Sequence, residues 1–151
     1  MASRGPEEAC KCVACAGEVR RALVVEDHTH IRENVIELLE SEGFVAFGAE
    51  DGRRGLAIAY AERPDLVLCD LRMPGLSGLE VLREIRTSRD LRDTAFILLT
   101  GAVERADIER GLAYGADQVV TKPFSRGDLL AAVRAAPHRH FFRRRSCPVG
   151  A

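Results

Sequence analysis

From residue 22 to residue 136, short apolar runs alternate five times with amphipathic segments, and this alternation constrains the fold more than any other feature of the chain. A strand-length run followed by a helix-period segment returns the chain to the edge where the next strand begins, so repetition builds a parallel sheet. The runs at 22–25, 44–49, 66–69, 95–99 and 118–121 predict five strands. They are short and mostly apolar, as strands covered by helices on both faces are. The expected class is α/β, a doubly wound five-stranded parallel sheet.

Spacing defines the helices in between. Ile31, Val35, Leu38 and Leu39 recur at i, i+4, i+7 and i+8, and Leu79, Leu82 and Ile85 fall every third residue. Gly43 follows the first helix where a left-handed cap is wanted. Ser125 with Asp128, before "LLAAV", resembles a capping box and starts the last helix. The segments 53–62 and 104–114 also read as helices, although each contains a glycine, Gly55 and Gly111. Outside the pattern lie 1–20, a cysteine-containing N-terminal extension, and 137–151, a basic tail, both expected to be flexible. Residues 21–136 remain as one domain.

A chain of 151 residues with 46% apolar and 30% charged side chains suits one globular domain rather than two. Its apolar runs, such as 95–99, fall far short of the roughly 18 residues of a membrane span, and the first 21 residues hold no signal-peptide core. The cytoplasm is the expected compartment. Five cysteines, Cys10, Cys12, Cys15, Cys69 and Cys147, one inside a strand, do not form a disulfide framework. Cys10, Cys12 and Cys15 offer thiols toward a zinc or iron–sulfur site but lack an obvious fourth ligand, and a reduced extension is the simpler reading. Residues 22–133 carry 13 basic and 20 acidic side chains, a net of −7, which argues against a broad nucleic-acid surface on the body. Residues 134–151 carry five arginines, no acid and the pair Phe141-Phe142. They read as a solvated terminus, or as a contact for an anionic partner, a membrane surface or nucleic acid.

Ligands of an open parallel sheet sit beyond the carboxyl ends of its strands, and those positions are unusually polar here. Glu26-Asp27 follow the first run, Asp70 the third, Thr100 the fourth and Lys122-Pro123 the fifth. A lone strand-end aspartate is usually a turn or a cap; capping does not explain these positions recurring in register with a hydroxyl and a lysine. Converging carboxylates repel unless a hard cation lies among them, and an oxygen site suits Mg²⁺, or Mn²⁺. Asp70, kept ionised, can then attack a phosphoryl group and form an acyl phosphate. Thr100 would donate a hydrogen bond to the transferred group and Lys122 would supply positive charge. His28 and His30 flank the start of the first helix and read as exposed polar residues.

The blocks "LVVEDHTHIRENVIELLESEGF", "DLVLCDLRMPGLSGLE", "ILLTGA" and "GADQVVTKPF" resemble, in that order, the receiver domain of two-component response regulators. The resemblance covers roughly residues 21–136 and implies a flavodoxin-like sheet of strand order 2-1-3-4-5. It implies phosphoryl transfer to Asp70 from a sensor histidine kinase or a histidine phosphotransfer protein, with output through a downstream protein target. Asp27, Asp70 and the backbone carbonyl of Arg72 would hold the cation, and Glu26 would act mainly through a metal-bound water. Thr100 and Lys122 match the switch hydroxyl and the lysine, the Lys122-Pro123 bond would be cis, and Gly101 would leave space beside the phosphoryl group. Arg72 and Ala102 lie where the family tunes the lifetime of the acyl phosphate. Such a protein is a phosphoacceptor that promotes its own phosphorylation and dephosphorylation rather than an enzyme in the usual sense.

Val119 departs from the pattern: receivers often carry Tyr or Phe three residues before the lysine. The expected function is a stand-alone, phosphorylation-dependent regulator that works by partner binding. The alternative, favoured by Val119, is a receiver-like interaction module that acts without phosphorylation. A phosphatase or nucleotide-binding enzyme fits less well, because "VVEDHTH" lacks a glycine-rich loop to cradle phosphates.

Overall fold

The computed structural model describes residues 20–101 and 105–136. In chain order its elements are β1 (Arg21–Val25), α1 (Thr29–Ser41), β2 (Val45–Ala49), α2 (Gly52–Glu62), β3 (Leu66–Asp70), α3 (Gly78–Thr87), β4 (Ala95–Thr100), α4 (Arg105–Ala113), β5 (Gln118–Thr121) and α5 (Arg126–Ala135). All five strands are parallel, in the order β2-β1-β3-β4-β5, which is the expected flavodoxin-like arrangement. No described helix is long and apolar enough to cross a membrane. The expectations placed on Cys10, Cys12, Cys15, Cys147, Ala102 and the tail at 137–151 lie outside the described residues.

Side chains along each strand alternate between two buried faces. Ala22, Val24, Leu66, Leu68, Ile97 and Leu99 pack with Val35, Leu38 and Leu39 of α1 and with Leu129 and Val133 of α5. Leu23, Val25, Val67, Cys69, Phe96 and Leu98 pack on the other face with Ala59 of α2 and with Val81, Leu82 and Ile85 of α3. The glycines inside α2 and α4 are points of close approach to this second face. A Cβ at Gly55 would stand 2.7 Å from Val25 Cγ2, and one at Gly111 2.6 Å from Leu98 Cδ2.

Two strands run further than the apolar runs suggest. Leu71 N–H donates to Leu99 O and Lys122 N–H to Thr100 O, both at 2.7 Å, so β3 includes Asp70 and β4 includes Thr100. Both are therefore the last rungs of the sheet rather than loop residues, with backbones fixed by the ladder. Phe44, by contrast, is not in β2. Its N–H donates to Leu39 O at 3.0 Å and helps close α1, while Gly43 takes φ +92° as a left-handed cap.

The Ser125–Asp128 capping box forms as expected, with reciprocal bonds of 3.0 and 3.1 Å. A second box starts α3: Glu80 N–H donates to Ser77 Oγ at 3.3 Å and Ser77 N–H to Glu80 Oε1 at 2.8 Å. The α3 start folds back onto the end of β3, where Gly78 N–H donates to Leu71 O at 2.8 Å. A Cβ at Gly78 would collide with the Asp70 carbonyl oxygen and stand 2.8 Å from Leu71 Cα, and backbone on both sides leaves no flexible atom to yield. G78A is therefore expected to lower the unfolding free energy by about 2–3 kcal/mol in a urea titration; an unchanged midpoint would contradict this close approach.

Candidate functional site

Because the strands are parallel, the ends of β1, β3, β4 and β5 open at one edge of the sheet. Glu26 prolongs β1, its N–H donating to Ala49 O at 3.0 Å. By the alternation of the strands, Glu26, Asp70 and Lys122 continue the parity of Val24, Leu68 and Val120 toward α1 and α5. Thr100 continues the parity of Leu98 toward the other face, where Val119 also packs.

Lys122 ties these ends together. Its Nζ donates to Glu26 Oε1 at 2.8 Å and stands 3.3 Å from Asp70 Oδ1. Glu26 is fully buried and Asp70 nearly so, and carboxylates in such surroundings are costly unless paired. Here one ammonium serves two of them. Burial raises the Asp70 carboxyl above its ordinary range and the Glu26 charge raises it further; Lys122 works against both, and Asp27 adds to the upward push. Burial opposes the charge on Lys122, but its bond to Glu26 and the charges of Asp70 and Glu26 prevail and hold its ammonium above the ordinary value. The Lys122-Pro123 bond is cis.

The Oδ1 atom of Asp27 is buried without a hydrogen-bond partner among the described residues. A buried carboxylate oxygen that accepts no hydrogen bond, beside Glu26 and close enough to raise Asp70, is the kind of donor a hard divalent cation takes; the residues fit the ion expected from the sequence. Glu26 Oε1 takes Lys122 directly. Thr100 is buried at the end of β4. Gly101 is exposed, and among the described residues a Cβ there would meet nothing nearer than Lys122 Cδ at 3.9 Å.

Three features escaped the sequence reading. The Arg72 side chain crosses to Asp107 of α4 at 2.9 Å. Glu26 and Lys122, 96 residues apart, form the shortest ion pair of the site. His28 does more than sit exposed: its Nδ1 lies 3.2 Å from Glu26 Oε2 and 3.4 Å from Asp27 Oδ1, and only its place directly after the acidic pair hinted at this. Val119 pairs with Leu98 across the ladder. Cys69, though next to Asp70, is no rival nucleophile. Burial first, and then the charges of Asp70 and Glu26, hold its thiol well above its ordinary value, and the thiolate is the reactive form.

Fold and site together define a doubly wound α/β protein with an acidic cluster and a lysine at the carboxyl edge of its sheet. The chain belongs to the response regulator receiver domain family, whose family model matches residues 22–134. It is similar to the chemotaxis protein CheY4 of Vibrio cholerae, with 29% identity and a TM-score of 0.75 over 80% of this chain and 100% of that one. A response regulator receiver domain protein from Clostridium thermocellum is 31% identical, with a TM-score of 0.74 over 83% of this chain and 99% of that one. The receiver domain of a signal transduction histidine kinase from Syntrophus aciditrophicus is 31% identical, with a TM-score of 0.68, covering 84% and 90% respectively.

A carboxyl raised by folding binds its proton more tightly in the native than in the unfolded chain, so stability is lost as pH rises through the native titration. D70N removes that ionisation. In chelator near about pH 7.5, well above an ordinary carboxylate, D70N is expected to melt at a higher temperature than the wild type, the gap closing toward about pH 4. A lower Tm for D70N at both pH values would show that Asp70 stabilises the fold instead.

Proposed function

We propose that Asp70 accepts a phosphoryl group from the phosphohistidine of a sensor histidine kinase or a histidine phosphotransfer protein, in a reaction that depends on Mg²⁺ or Mn²⁺, and that the phosphorylated chain signals by contact with a downstream protein. The observation that carries this reading is the Lys122 ammonium held between Glu26 and Asp70 at 2.8 and 3.3 Å. That cation is already at the carboxylate that gains charge. An Asp70 carboxylate oxygen attacks phosphorus, the phosphorus–nitrogen bond of the protonated phosphoimidazole breaks, and neutral imidazole leaves. Lys122 and the Thr100 hydroxyl are assigned to the transferred oxygens. Asp27, Asp70 and the Arg72 carbonyl are assigned to the cation, which when bound offsets the charge of the carboxylates and of the phosphoryl group.

A groove of about 720 Å³ supports delivery by a protein donor. It runs between α1 and the start of α5, lined by Ile31, Val35, Leu38, Phe124 and Leu129, and reaches Gly101 and Lys122. Output has a physical route that does not need an aromatic residue at 119: the Arg72–Asp107 pair joins the loop after Asp70 to α4. Added phosphoryl charge biases such contacts. Val119 favours a second reading, an interaction module that acts without phosphorylation.

Incubation with Mg²⁺ and acetyl phosphate is expected to add one phosphoryl group to the wild type by intact mass and none to D70N. K122A is expected to keep reduced uptake while losing the accompanying change in hydrogen exchange of α4 and β5. Wild-type uptake by D70N would reject the nucleophile. Failure of the wild type both to gain mass and to bind the cation would favour the phosphorylation-independent module.

A further inference from the structure

We propose that the His28 imidazole is a direct ligand of the divalent cation, so that this site favours Mn²⁺ and the later transition-metal ions over Mg²⁺. The inference rests on the cation site of the proposed function and names a ligand that the family resemblance does not assign. His28 is the N-cap residue of α1, yet its side chain makes no capping hydrogen bond, a role in which Ser, Thr, Asp or Asn would serve the helix better. Instead the ring, although 70% exposed, is turned back onto the acidic pair. The backbone N–H of His28 also donates to Glu26 Oε2 at 3.2 Å, which keeps that oxygen on the side of the ring.

The spacing suits shared coordination. Two donors at right angles, each about 2.1 Å from an octahedral ion, stand about 3.0 Å apart. Nδ1 lies 3.2 Å from Glu26 Oε2 and 3.4 Å from Asp27 Oδ1, and donor atoms of the three residues fall within 4.8 Å of one another. Asp27 Oδ1 is also the buried oxygen that lacks a hydrogen bond. On binding, the ion takes the place of the contact between Nδ1 and Glu26. Carboxylates alone suit Mg²⁺; an imidazole among them moves preference toward Mn²⁺ and later transition metals.

The test is Mn²⁺ binding to the full chain, followed by electron spin-echo envelope modulation in the wild type, H28A and H30A, with phosphoryl uptake of the wild type measured alongside in Mg²⁺. Nitrogen modulation from a coordinated imidazole is expected in the wild type and H30A and absent in H28A. Mn²⁺ affinity should fall in H28A by at least the roughly tenfold that losing an outer-shell partner costs, and Mg²⁺ affinity, by competition, by less than about threefold. Modulation that persists in H28A would belong to another histidine and overturn the assignment. Bound Mn²⁺ without nitrogen modulation, beside normal uptake, would overturn it while leaving the phosphoacceptor reading in place. Absence of bound Mn²⁺ would overturn it as well, and failed uptake in that case would remove both.

Discussion

One ammonium shared by two buried carboxylates is the interaction on which this site depends. Glu26 and Asp70 stand at the ends of neighbouring strands because β1 and β3 pair in the middle of the sheet. Burial and like charge would drive a proton onto Asp70, and Lys122 holds that tendency in check. The arrangement is electrostatically tense by construction: too many negative charges for one lysine, and a buried Asp27 oxygen without a hydrogen bond. A divalent cation bound among these carboxylates would relieve that tension.

The sheet also separates two tasks. Asp70, Glu26 and Lys122 share the parity that faces α1 and α5, whereas Thr100 and Val119 fall on the parity that faces α3 and α4. Thr100 thus stands at the charged edge with the parity of the opposite layer. Val119 fills its place there as a packed β-branched side chain without a polar tip or a ring to swing. Any coupling to α4 must therefore use other contacts, and the Arg72–Asp107 pair spans that gap. Because Arg72 is largely exposed, the pair contributes little to stability and is correspondingly easy to rearrange.

Much of this was legible in the chain. The alternation of apolar runs and amphipathic segments specified a parallel doubly wound sheet, and polar residues at the ends of four runs marked the edge that matters. Spacing also located the Gly43 cap and the Ser125–Asp128 box. The Ser77–Glu80 box was equally readable from its S-x-x-E spacing, yet it was absorbed into the block around Asp70. Gly55 and Gly111 looked like interruptions because their reason is tertiary: each lets a helix approach a particular side chain of the sheet. The Glu26–Lys122 and Arg72–Asp107 pairs join residues far apart in sequence, and no local pattern announces such partners. The same holds for Gly78, whose missing side chain is needed only because the loop folds back on Asp70.

The most direct test of the electrostatic account is a carbon-13 NMR titration of the Asp70 carboxyl in chelator and then in Mg²⁺. Titration in chelator above the ordinary value of 3.8, moving down when the cation is added, is the predicted result. An ordinary titration that does not respond to Mg²⁺ would contradict a strained carboxylate awaiting a cation.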